Sequence, residues 1–97
     1  MTYETYKTID DFNLDEVLPE QSVIEETDRF GDTWRHKRLN LSGDITLIVF
    51  DSGQAALEIG VLTFIEFLWT EEVAELFERF YEVKAVEMFE ILGRNRL

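Results

Sequence analysis

TEEVAELFERFYE, Thr70 to Glu82, sorts into two sides when wound at about 3.6 residues per turn. Val73, Leu76, Phe77 and Phe80, with Val83 just beyond, fall on one side; Glu75, Glu78, Arg79 and Glu82 fall on the other. Thr70 offers a hydroxyl as N-cap, and Glu71 and Glu72 follow in the first turn, where the helix dipole favours negative charge. The pattern predicts an amphipathic helix with an acidic outer face. Its apolar stripe needs a surface to lie on.

The preceding residues supply one. Glycines at 31, 43 and 53 punctuate the chain beside small or polar residues, in Phe30-Gly31-Asp32, Ser42-Gly43 and Ser52-Gly53. Between them lie segments of strand length rich in Val, Ile, Thr, Trp and Phe: SVIEETDR from Ser22, TWRHKRLNL from Thr33, DITLIVFD from Asp44 and QAALEIGV from Gln54. Short loops join only antiparallel neighbours, so the reading is a four-stranded antiparallel meander. ITLIVF is apolar nearly throughout, as expected of a central strand covered on both faces. In the last segment Ala55, Leu57, Ile59 and Val61 share a face, with Glu58 opposite. Val73, Leu76, Phe77 and Phe80 are expected to meet Ile48, Phe50, Leu57 and Ile59.

Outward from this centre the pattern is less regular. Thr63 to Trp69 reads as continued strand or a separate turn, because a single helix through Glu82 would place Phe64 and Leu68 on the acidic side. A second break follows Val83, so that the long C-terminal helix either bends or turns Val86, Phe89 and Leu92 toward a different neighbour. Gly93 suits the C′ position, and Arg94 and Arg96 suit the negative end of the dipole. Near the other end, Asn13 with Glu16 makes a capping box for a short helix, NLDEVL, which Pro19 stops. Residues 1–11, with Tyr3, Tyr6 and Ile9 at every third position and no cap before them, read as an extended or mobile lead-in. The whole is one acidic α+β domain over residues 1–97.

Charge is the extreme property. Nine Lys and Arg against twenty-one Asp and Glu leave a net charge of −12. Residues 1–28 and residues 44–82 each carry −8, whereas residues 29–43 carry +3 and residues 83–97 carry +1. Such a field repels nucleic acid and anionic membrane and attracts basic surfaces. The absence of cysteine removes disulfides, thiolate nucleophiles and Cys-based zinc sites, and fits a reducing cytoplasm. MTYETYKTIDDF lacks the basic and apolar regions of a signal peptide, and Val61 to Trp69 falls well short of the roughly 20 residues that span a bilayer.

The residues with chemical potential are few. Glu71, Glu75, Glu78 and Glu82 recur at three or four positions, a carboxylate row with neighbours about 5–6 Å apart, similar to phosphates along a nucleic-acid strand. Like charges at that spacing cost the helix a few tenths of a kcal/mol per pair, and only Arg79 relieves them. The plainer alternative is an ordinary solvated face. Arg35, Lys37 and Arg38 form a basic strand whose acidic neighbours Glu25, Glu26 and Asp28 suggest internal pairing. His36 has no nucleophile beside it to activate. Paired carboxylates such as Asp10-Asp11 and Glu25-Glu26 lack the alternating oxygen ligands and turn glycine of a calcium loop. No metal or other cofactor is expected. Trp69 and Tyr81 are candidate interface anchors, with core packing as the alternative for the aromatic residues as a group. Val86, Phe89 and Leu92 offer a homodimer seam.

Small size, high acidity and the lack of a catalytic motif together resemble phage-encoded anti-defence proteins, such as inhibitors of CRISPR effectors or restriction nucleases; the likeness is one of composition. It implies a non-enzymatic, protein-binding inhibitor that covers a basic nucleic-acid-binding groove on its target, contacting no nucleic acid itself. Glu71, Glu75, Glu78, Glu82, Trp69 and Tyr81 would make the contact. The alternative expectation is an acidic dimerising scaffold or regulatory protein whose charge serves solubility. A small enzyme with a site invisible in sequence stands third.

Overall fold

The strands β1 (Ile24–Thr27), β2 (Thr33–Ser42), β3 (Ile45–Phe50), β4 (Gln54–Ile59) and β5 (Leu62–Leu68) form one antiparallel sheet whose spatial order follows the chain. The structure, a computed structural model, describes residues 12–97, so the lead-in expected over residues 1–11 lies outside it. The sheet has five strands, not four. Gly60 and Val61 are the two-residue loop of a hairpin in which Ile59 faces Leu62. Gly60 sits at φ +63°, the first central position where a II′ turn requires glycine. Embedded in an apolar run, this glycine reads as part of a strand. Thr63–Leu68 is therefore continued strand, one of the two readings open for it.

Pleating sends alternate residues to opposite faces, and the register fixes which residues share one. Leu39, Leu47, Leu57 and Ile65 lie in one row and Lys37, Val49, Ala55 and Phe67 in the next, on the face that takes the helices. Ile48, Phe50 and Ala56 form a separate buried cluster with Trp34. The helix therefore shares its core cluster with Leu47, Val49 and Leu57, whereas Ile48 and Phe50, expected to meet it, lie in the other cluster. Because β3 is buried on both faces, its composition carries no parity, and a one-residue error exchanges the faces. Ile59, at the hairpin end of β4, is 46% exposed.

The long C-terminal helix is two helices. α1 (Glu71–Glu78) ends at Arg79, Phe80–Glu82 makes one 3₁₀ turn, and α2 (Ala85–Arg94) follows after Val83 and Lys84 in extended backbone. Neither proline nor glycine marks this break. It follows from the two apolar stripes being out of phase: α1 buries Val73, Leu76 and Phe77, and α2 buries Ile91 and Leu92. A straight helix could not turn both stripes to one sheet. Gly93 lies inside α2, and Asn95 takes the capping position.

Aromatic stacking ties α1 to the sheet. The Phe77 ring stacks on Phe67, Trp69 and Phe80 at centroid distances of 6.1, 5.6 and 5.8 Å. At the sheet's other end, the expected short helix is a single 3₁₀ turn, Leu14–Glu16, with the Asn13 side chain accepting from the Asp15 N–H. Lys37 holds that turn in place: its Nζ is buried and donates to the carbonyls of Val17 at 2.7 Å and Asp15 at 3.3 Å. No helix among the described residues is long and apolar enough to cross a membrane.

Candidate functional site

The carboxylate row begins on α1. Thr70 Oγ1 accepts from the Val73 N–H at 3.3 Å and donates to Asn95 Oδ1 at 3.0 Å, so the cap also fastens α1 to the end of α2. Asn95 Nδ2 donates to Glu72 Oε1 at 2.9 Å, and Arg94 donates to Glu72 Oε2 at 2.7 Å. These two hydrogen bonds, Arg94 foremost, hold the Glu72 carboxyl below the usual carboxylate range. The positive end of one helix dipole thus lies against the negative end of the other, with Glu72 and Arg94 added in the favoured sense. No sequence spacing reports this clasp, because residues 72 and 94 belong to different helices.

With its first turn clasped, α1 presents Glu71, Glu75 and Glu78 to solvent. Among the described residues none of these three, nor Glu82, takes part in an ion pair. Arg79 does not relieve the row: its guanidinium turns away to Glu87 Oε1, 3.2 Å distant on α2. Glu82 is exposed but stands in the 3₁₀ turn beyond the break, so the continuous helical row is Glu71, Glu75 and Glu78.

The two aromatic anchors part company. Trp69 is half-buried, with its ring stacked on Phe77, and belongs to the core. Tyr81 is 79% exposed, with its ring set edge-on to Phe80 and its hydroxyl donating to the Leu41 carbonyl. The phenol is thus held at one end while its ring faces solvent beside Glu82. Of the dimer seam, Val86 and Phe89 are exposed, but Leu92 is fully buried in the core.

The basic strand is dispersed rather than assembled. Arg35 stands opposite Glu25, Arg38 reaches Glu58 at 3.5 Å across the sheet, and Lys37 is spent on carbonyls. His36 is 1% exposed, accepts at Nε2 from Arg38 Nε at 3.3 Å, and leaves Nδ1 without a hydrogen-bond partner among the described residues. Burial, with Arg38 adding to it, pushes the imidazole below its ordinary value of 6.5, although Glu26, Asp51 and Glu58 oppose that shift. Among the described residues, no group of three or more His, Asp or Glu side chains is arranged to hold a metal. A hollow of about 200 Å³ is lined by Phe64, Ile65, Glu66, Arg96 and Leu97, below the roughly 300–1,000 Å³ usual for small-molecule pockets.

Comparison with protein-family models, with curated proteins and with solved structures finds no match to this chain. What the structure defines is a class of architecture: an α+β domain with a five-stranded antiparallel meander and two short helices on one face.

Proposed function

We propose that the chain is a non-enzymatic inhibitor that covers a basic, nucleic-acid-binding groove on another protein with the acidic face of α1. The observation that supports this most directly is the state of Glu71, Glu75 and Glu78. All three are exposed on one helix, and the cation at its C-terminal cap, Arg79, is engaged by Glu87. Their mutual repulsion costs the helix a few tenths of a kcal/mol per neighbouring pair and does nothing for the core. A cationic groove would turn that repulsion into attraction. Glu82 and the ring of Tyr81 extend the contact past the break, whereas Trp69 supports α1 from beneath.

The target on this reading is a protein whose groove carries Lys and Arg at phosphate spacing, such as a CRISPR effector or a restriction nuclease. Affinity capture with the intact chain, alongside a Glu75→Lys, Glu78→Lys, Glu82→Lys variant, tests it. The captured protein should bind DNA or RNA, lose that binding when the chain is added, and bind the chain less tightly as salt rises. Full binding by the folded triple variant would remove α1 from the interface.

A further inference from the structure

We propose that a second copy of this chain docks on the outer edge of β5 and the adjoining face of α2, forming a two-fold dimer with a continuous sheet. β5 is the last strand of the sheet, and the C-terminal segment covers only part of its outer edge. Leu68 N–H donates to Asn95 O at 2.9 Å and Leu97 N–H to Glu66 O at 3.0 Å, around a bridge between Phe67 and Arg96. Among the described residues Leu62 to Ile65 have no strand beyond them. A strand edge can pair with extended backbone, and an antiparallel edge with itself across a two-fold axis; the bulge at Phe64, between the pairs Leu57–Ile65 and Glu58–Thr63, confines regular pairing to the residues on either side of it.

The side chains around that edge are apolar and exposed: Val61 at 94%, Leu62 at 72%, Phe64 at 51%, Val86 at 70% and Phe89 at 48%. The Phe64 and Phe89 rings lie 5.8 Å apart and Leu97 lines the same hollow as Phe64, while Val86 stands one helical turn from Phe89 and Val61 and Leu62 precede Phe64 at the start of the same edge. Their combined exposed area is on the order of 500 Å². That matches the largest patch on a typical monomer, and with the rim of β5 and α2 it approaches the roughly 800 Å² each partner contributes to a standard interface.

Charge identifies the occupant. The chain as a whole carries −12, so two copies repel almost wherever they meet. Two regions escape that excess: residues 29–43, net +3, where Arg35 stands opposite Glu25, Lys37 is bound to carbonyls and Arg38 reaches Glu58, and residues 60–69 together with residues 83–97, where Lys84, Arg94 and Arg96 balance Glu66, Glu87 and Glu90. Within that set Arg94 is paired with Glu72, and Glu87 with Arg79. A cationic partner would be drawn to α1, not to this face. A second copy meets no net like charge on this face, and the seam it finds is apolar.

The seam and the acidic face of α1 respond oppositely to salt. Screening weakens attraction between α1 and a basic groove, but it relieves the repulsion between two copies and tightens the dimer. Sedimentation equilibrium of the intact chain over a salt series tests this. The expected result is a species of twice the 11.5 kDa chain mass, tightening with salt. Phe89→Asp and, separately, Leu62→Arg should each weaken it by roughly thirtyfold or more while leaving the circular dichroism spectrum unchanged. A monomer at all concentrations up to about 1 mM overturns the proposal and leaves the patch to a different protein. A dimer indifferent to both folded variants overturns it as well, by placing the contact elsewhere. Neither result touches the α1 interface, which is read from a different binding partner and a salt dependence of opposite sign.

Discussion

Replacing Phe77 by alanine tests the packing on which the presentation of α1 depends. Phe77 is 9% exposed and contacts the rings of Phe67, Trp69 and Phe80. A buried Phe→Ala change costs about 3–5 kcal/mol through lost transfer energy and the cavity left behind. Three aromatic contacts, each worth about 0.5–1.5 kcal/mol beyond area, push this site toward the upper half of that range. Alanine's better helix propensity returns about 0.5 kcal/mol. The net expectation is a loss of about 3.5–4.5 kcal/mol, and a domain of this size has only about 5–15 kcal/mol in total. Urea unfolding followed by far-UV circular dichroism measures it directly, and the melting temperature should fall by at least about 12 °C. Trp69 fluorescence should change even in the folded state, because its ring lies 5.6 Å from the ring removed. A loss below about 1 kcal/mol, with Trp69 unperturbed, would show that α1 is not seated on the sheet through this residue.

The remaining predictions concern pH and backbone. His36, the only histidine, has a folded-state pKa held below its unfolded value by burial. Below pH about 6.5 the unfolded chain therefore takes up a proton that the folded chain refuses. Stability should fall as pH drops from about 6.5 toward 5, where carboxylates remain largely ionised, and His36→Gln should flatten that slope; parallel slopes in urea titrations of the two proteins would refute it. The two glycines Gly60 and Gly93 should respond oppositely to alanine, although a Cβ meets nothing within 4 Å at either. At Gly60, φ +63° makes Gly60→Ala cost about 1–2 kcal/mol. In the last turn of α2, Gly93→Ala should stabilise by about 0.5 kcal/mol. Equal signs in thermal unfolding would contradict the assigned backbone at one of them.

These tests follow the line between what local chemistry announces and what only tertiary contact decides. Thr70 and the acidic turn after it mark the start of α1 because a cap is a local hydrogen bond. Gly31, Gly43 and Gly53 mark turns because each takes a positive φ beside at least one polar neighbour. Gly60 does the same between Ile59 and Val61, where apolar surroundings conceal it, and a strand goes uncounted. The face that β3 turns to α1 is not encoded in ITLIVF, which is apolar on both sides. It is settled by register with β2 and β4, where the polar residues Arg38 and Glu58 mark the other face. Of the candidate site, the carboxylates of α1 are legible as a row, but the loss of their counter-charge is not. Arg79 and Glu87 stand eight positions apart and meet only because the chain bends between them.

That bend links the two proposed surfaces. In an unbroken helix Arg79 would lie three or four positions from Glu75 and Glu82, close enough to neutralise part of the row. The break at Arg79 ends α1 after Glu78 and lets α2 fold back, bringing Glu87 within reach of the guanidinium. The same change of phase buries Ile91 and Leu92 while turning Val86 and Phe89 outward beside β5. One local departure from helical geometry thus leaves α1 with an uncompensated acidic face and gives α2 an uncovered apolar one. A substitution that straightened residues 79–84 into continuous helix would lose both faces together. A change confined to either face should leave the other intact.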